Sequence, residues 1–219
     1  MNLKYSLVIF DLDGTLTDSG SGIISSVRKT LISMGRPVPP QDTLRRFIGP
    51  PTWDSFRILC KMSSPEAEEA VRRFRKIYGS EGLFDNRVYN GIPELLDHLR
   101  AAGTKLAVAT SKPGSMAKKV LDHFGLSPHF DMISAADETD RGGGKEALIS
   151  QVLKNLGVSA RDTVMIGDTK FDASGAHKAG VSFVGVLYGF GTKEEISRAG
   201  GSVFALSVAD LEKVLFQKT

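Results

Sequence analysis

The sequence predicts an α/β protein, a doubly wound parallel sheet with a helical segment inserted after its first strand. Three observations carry this. Five short apolar runs each end in small or polar residues, helical periodicity separates most of them, and one long stretch is helical throughout.

The first run, Leu7 to Phe10, leads straight into Asp11. Next comes the helical stretch, marked by Ile23, Ile24, Val27 and Leu31, then by Phe47 to Leu59, then by Ala67, Ala70, Val71, Phe74, Ile77 and Tyr78. It is entered near Ser19-Gly20-Ser21-Gly22 and left between Gly82 and Asn90, glycine- and polar-rich segments suited to hinges. We therefore expect a core domain from residues 1–18 and 87–219 and a helical domain from residues 19–86. Beyond it, Ile92, Leu95, Leu96 and Leu99 recur at helical spacing, with Pro93 suited to the first turn and Gly103 to the stop. Strands follow at Leu106 to Ala109, before Thr110-Ser111, and at Met132-Ile133, before Ser134. A helix marked by Leu148, Val152, Leu153 and Leu156 ends at Gly157. The last two strands are Val164 to Ile166, before Gly167-Asp168, and Phe183 to Leu187, before Tyr188-Gly189. Unbroken apolar runs suit strands buried on both faces, and such sheets bind ligands beyond their carboxyl ends.

Composition sets the outer bounds. The 219 residues, 41% hydrophobic and 24% charged, are those of an ordinary globular chain with material for a core. A net charge of +3 is too weak for a nucleic-acid polymer, although it suits an anionic metabolite. The basic run Arg72, Arg73, Arg75 and Lys76 follows Glu66, Glu68 and Glu69 on one helix, an order that favours the helix dipole and reads as a solvated face. Cys60 is the only cysteine and reads as a small packed hydrophobe. His98, His123, His129 and His177 lack metal-ligand spacing and read as structural or surface groups. The run Leu7 to Phe10 is too short for a signal-peptide core, and no apolar stretch approaches the roughly 20 residues that span a bilayer. The expectation is a cytoplasmic protein with no membrane partner; the sequence carries no signal of oligomeric state.

Four polar clusters lie at the strand ends. Asp11 and Asp13 alternate along an emerging strand, so both carboxylates reach one side; alone they read as an acidic turn, or as a seat for a hard cation such as Mg²⁺. Thr110-Ser111-Lys112 offers hydroxyl and N–H donors for a phosphoryl oxygen, or a plain helix cap. Lys145 follows Gly142-Gly143-Gly144 at a helix start, where the dipole disfavours a cation; either it is a surface lysine or its charge is used elsewhere. The last, Gly167-Asp168-Thr169-Lys170-Phe171-Asp172, offers Asp168 to a metal shared with Asp11, and offers Asp172 as a helix cap, an indirect ligand or a partner that orients Lys145.

In this order the four clusters resemble the haloacid dehalogenase-like superfamily over essentially the whole chain. Asp11-Leu12-Asp13-Gly14-Thr15-Leu16 is similar to its first motif, Thr110 or Ser111 to its second, Lys145 to its third, and Gly167-Asp168 through Asp172 to its fourth. The insertion resembles the helical cap of the branch that contains phosphoglycolate phosphatases, nucleotidases and β-phosphoglucomutase. The resemblance implies a Mg²⁺-dependent phosphatase of a small phosphorylated metabolite. Asp11 would be the nucleophile and Asp13 the acid and base. The metal would sit on Asp11, Asp168 and the Asp13 carbonyl, and the phosphate on Thr110, Ser111 and Lys145. An acid at position 13 sets the chain apart from the dehalogenase branch, which lacks one. Phosphoglycolate and nucleoside monophosphates are the expected substrate types. A β-phosphoglucomutase-like phosphomutase is the alternative, weakened by Gly20-Ser21-Gly22 where that family carries aromatic residues or His. Substrate choice is expected in the cap loop Leu44 to Trp53, where Arg45 or Arg46 would pair with a substrate anion, or else stand solvated on a structural turn.

Overall fold

The computed structural model describes residues 4–137 and 144–216. Strand β1 (Leu7–Phe10) is followed by β2 (Thr17–Asp18) and by helices α1 (Gly20–Ser33), α2 (Gln41–Arg45), α3 (Thr52–Leu59) and α4 (Ser64–Ile77). A widened helical turn over Tyr78–Gly82 continues α4, and β3 (Arg87–Val88) pairs back onto β2. Strands and helices then alternate: α5 (Ile92–Ala101), β4 (Lys105–Pro113), α6 (Gly114–His123), β5 (Met132–Ala136), α7 (Gly144–Leu156) and β6 (Thr163–Gly167). The chain continues through α8 (Lys170–Ala179), β7 (Ser182–Val186), α9 (Lys193–Arg198), β8 (Phe204–Ala205) and α10 (Val208–Leu215).

Six strands form one parallel sheet in the order β5-β4-β1-β6-β7-β8. The pleat sends alternate side chains to opposite faces. Val8, Phe10, Val108 and Ile166 join one apolar cluster, with Leu95 and Leu96 of α5 and Val120 and Leu121 of α6. Leu7, Ile9, Ala107 and Met165 join the other, with Ile149 and Val152 of α7 and Ala176 of α8. Helices thus cover both faces, as the unbroken apolar runs require. Ile23, Val27, Phe47, Phe56, Phe74 and Tyr78, from the stretch between β2 and β3, belong to the first cluster.

All five expected strands form. The turn at 46–51 shortens the helix expected from Phe47 to Leu59: Gly49 takes φ +103° and Pro50-Pro51 follow, so α3 starts only at Thr52. Phe47 and Ile48 are nevertheless buried, packed as loop residues. The two-residue strands β2 and β3, and β8, were too short for periodicity to reveal. Among the described residues, no helix is long and apolar enough to cross a membrane.

Candidate active site

β1 lies between β4 and β6, both later in the chain, so the order reverses beside it and opens a crevice at the carboxyl ends. Phe10 pairs with Val108 and with Ile166, which brings Asp11, Thr110 and Asp168 out at one edge. The Asp11 N–H donates to the Ile166 carbonyl at 2.9 Å, extending the ladder by one residue. The chain then folds back in a tight loop, with the Gly14 N–H donating to the Thr17 carbonyl at 2.7 Å. Gly14 holds φ +87°, and a Cβ there would fall 2.2 Å from Asp168 Oδ2. Only glycine lets this loop close against Asp168. The Thr15 hydroxyl donates to Asp168 Oδ1 at 3.2 Å and the Phe190 N–H to Oδ2 at 2.8 Å.

Lys145, in the first turn of α7, is buried and points back into the site. Its Nζ lies 2.9 Å from Asp11 Oδ1 and 2.8 Å from Asp172 Oδ1, and donates to the Ala109 carbonyl at 3.0 Å. This accounts for a cation where the helix dipole disfavours one. Asp172 has two tasks at once: its other oxygen accepts from the Thr169 N–H at 3.0 Å and hydroxyl at 2.7 Å, capping α8. The reading of Gly142-Gly143-Gly144 as a flexible loop before Lys145 falls, for Gly142 and Gly143, outside the described residues.

Charge is unbalanced here. One carboxylate oxygen from each of Asp11, Asp168 and Asp172 lies within 4.8 Å of the others, and all three residues are buried. Burial pushes the Asp11 carboxyl up to about 7; Lys145 opposes this, while Asp172 and Asp13 add to it. Burial also raises Asp168 well above the carboxylate range, helped by Asp172 and Asp11. Burial works against the Lys145 charge, but Asp11 and Asp172 outweigh it and raise its pKa. With all three carboxyls ionised one ammonium leaves two negative charges over, and without a further cation burial and repulsion favour protonation of Asp11 and Asp168 instead. A divalent cation with oxygen ligands fits that donor set and that charge, and Mg²⁺ commonly takes one or two carboxylates beside a substrate phosphate.

A cavity of about 50 Å³ opens beside Asp11, with Asp13, Thr110 and Ser111 on its sheet side. The Thr110 hydroxyl oxygen accepts the Lys112 N–H at 3.1 Å. The expected phosphate-contacting groups are therefore brought together, Lys145 behind Asp11 and the two hydroxyl residues beside it. Arg45 and Arg46 stand elsewhere, lining a recess formed with Thr169 to Phe171 and Phe190 to Thr192. Trp53 packs with the Arg57 guanidinium 5.2 Å from its ring centre.

Three residues that line the cavity were named from sequence but given no role in the site: Lys112, within the cluster Thr110-Ser111-Lys112, Tyr78 and Arg75. Lys112 had a signal, because alternation along β4 turns it to the same side as Thr110. Arg75 belongs to the run read as a solvated face. That reading holds for Arg72 and Arg73, which pair with Glu69. Arg75 instead reaches the cavity that Phe74 and Tyr78 also line, one turn before Tyr78.

The pattern described as haloacid dehalogenase-like hydrolase matches residues 8–186. A 5'-nucleotidase of Pseudomonas aeruginosa is 39% identical over 97% of this chain and 96% of its own length. The tyrosine-protein kinase PtkA of Mycobacterium tuberculosis is 39% identical over 95% of this chain and 72% of its own. A phosphoglycolate phosphatase of Caulobacter vibrioides is 31% identical over 97% of this chain and 91% of its own. A solved structure described as a predicted phosphatase from Clostridium acetobutylicum superposes with TM-score 0.92 at 38% identity, over 96% of this chain and 97% of the other.

Proposed function

Since this chain belongs to the haloacid dehalogenase-like hydrolases and is a phosphoric monoester hydrolase, we propose that it is a Mg²⁺-dependent phosphatase of a small monoester that works through Asp11. One observation carries the reading: Asp11, at the switch point, is held by Lys145 and shares one cavity with Asp13, Thr110 and Ser111. In this reading the Asp11 carboxylate attacks phosphorus in line, forming an aspartyl-phosphate as the ester P–O bond breaks. Asp13 gives its proton to the leaving oxygen, then takes one from the water that cleaves the intermediate, returning Asp11 and releasing phosphate. Thr110, Ser111 and Lys145 hold the transferring oxygens, where most of the available stabilisation lies. Asp11, Asp168 and the Asp13 carbonyl would hold Mg²⁺, with Asp172 fixing Lys145 behind them. The ion would supply positive charge to the phosphoryl oxygens.

Residues 19–86 act in this reading as a cap that chooses the substrate. Arg75, facing the cavity from α4, suits a second anionic group better than Arg45 and Arg46, which stand in the neighbouring recess. Arg75→Ala should raise KM about tenfold or more for a substrate with a second charge, with a smaller effect on kcat. Steady-state kinetics on phosphoglycolate and on an uncharged alkyl phosphate check this; equal effects on both would remove Arg75 from recognition.

The decisive assay is phosphate release from phosphoglycolate, nucleoside monophosphates and sugar phosphates, with and without Mg²⁺. Activity indifferent to chelation sinks the metal assignment. Conversion of a sugar 1-phosphate to its 6-phosphate would promote the mutase, and transfer to tyrosine without phosphate release would favour the chemistry named for the Mycobacterium relative.

The metal can also be tested through stability. Without a cation, Asp11 holds its proton up to about pH 7 in the folded state, against an ordinary value of 3.8. The folded state therefore binds more protons in that window. The contribution is full below 3.8 and is lost as pH rises through about 7. The metal-free protein should melt lower at about pH 7.5 than at about pH 5. Mg²⁺ should raise Tm more at the higher pH, because it binds the charged carboxylates. Differential scanning calorimetry checks both; a Mg²⁺ shift independent of pH would contradict the assignment.

A further inference from the structure

Lys112 is a buried cation that the mechanism above does not use. It lies in the last pleat of β4, just after Thr110-Ser111, and its Nζ donates to three oxygens: Asp13 Oδ1 at 2.9 Å, Asp13 Oδ2 at 2.7 Å and the Tyr78 hydroxyl at 2.9 Å. The three donors of an ammonium are thereby matched to three acceptors. The Lys112 and Asp13 side chains are 4% and 12% exposed. Tyr78 is buried in turn, its ring stacked on Phe74 with centres 5.3 Å apart and planes 9° from parallel. Tyr78 opens the widened turn that continues α4, whereas Asp13 lies in the loop after β1 and Lys112 near the end of β4.

We propose that Lys112 and Tyr78 are positioning residues for Asp13. Lys112 grips both carboxylate oxygens and so fixes the turn of the Asp13 carboxyl group in the cavity. Tyr78 fixes Lys112, so the acid is aligned only while α4 lies against the sheet. Proton transfer to a leaving oxygen depends steeply on such alignment, since displacement by about 1 Å costs on the order of a hundredfold in rate. The proposal rests on the acid role given to Asp13 above.

The test uses leaving groups. An alkyl phosphate needs its departing oxygen protonated, whereas p-nitrophenyl phosphate departs as a stable anion and needs little help. The quantity to compare is kcat/KM, which counts only steps up to phosphoryl transfer onto Asp11. Lys112→Met, Tyr78→Phe and Asp13→Asn are measured in parallel, with circular dichroism on each. Tyr78→Phe keeps the ring stack and the volume, so it remains informative where Lys112→Met fails to fold.

Tyr78→Phe should lower kcat/KM on the alkyl ester about tenfold more than on the aryl ester, and Lys112→Met should widen that ratio further, toward that of Asp13→Asn. Equal losses on both esters in Tyr78→Phe and Lys112→Met would overturn the proposal, as would no loss at all. If Asp13→Asn discriminates between the esters and the other two do not, positioning fails and the acid survives. If Asp13→Asn does not discriminate either, both fail.

Discussion

Asp11→Asn is expected to abolish turnover, by roughly three orders of magnitude or more in phosphate release, while the protein stays folded. The substitution keeps the shape of the side chain and removes the attacking carboxylate. It should not weaken the fold. Burial already raises the Asp11 pKa, and Asp172 and Asp13 repel its charge, so a neutral amide relieves a strained site. Lys145 keeps its ion pair with Asp172 and its bond to the Ala109 carbonyl. The metal-free variant should therefore melt no lower than the parent at about pH 7.5, and Mg²⁺ should raise its Tm less. Activity assays paired with calorimetry separate the two effects. An active variant would remove Asp11 as nucleophile; an inactive but unfolded one would show that its charge holds the fold together.

Lys145→Met should damage both activity and stability. It removes the only ammonium that touches Asp11 and Asp172 among the described residues, leaving three clustered carboxylates uncompensated. Removing one partner from a buried ion pair costs about 3–5 kcal/mol. In a domain of this size that lowers Tm by on the order of 10 °C. The deficit should shrink at acid pH, where the carboxyls take protons and no longer need a cation. Loss of a charge aimed at the transferring oxygens should also lower kcat on the order of a hundredfold. Lys118→Met, which breaks an exposed i,i+4 pair with Asp122, is the control and should change little. Equal melting losses in the two variants would show that the Lys145 contacts add nothing beyond those of a surface lysine.

The parts of the fold readable from sequence were those set by periodicity. Leu7 to Phe10 and Val164 to Ile166 are apolar on both pleat faces because helices cover both, and that leaves a plain mark in the chain. Asp11, Asp168 and Lys145 were legible because each breaks a local rule. The first two put charge against a buried strand, and the third puts a cation at a helix start. Tyr78 broke no rule: it continues the apolar stripe of Val71 and Phe74, and only the packing of α4 on the sheet brings its hydroxyl to Lys112. Arg75 was hidden by its neighbours. In a run of four basic residues, spacing shows which ones share a face, but which face turns inward depends on contacts far away in sequence.

The place of β1 in the sheet bears on how the chain is made. Leu7 pairs with Lys105 on one side and with Thr163 on the other, so β1 must wait for about a hundred further residues before one edge is covered and for more than about 150 before the second is. Such long-range parallel pairing is slow, and until it occurs an apolar tetrapeptide with open backbone groups is exposed to other chains. Asp11, directly after it, places a charge at the end of that run and can act as a gatekeeper against aggregation of the nascent chain.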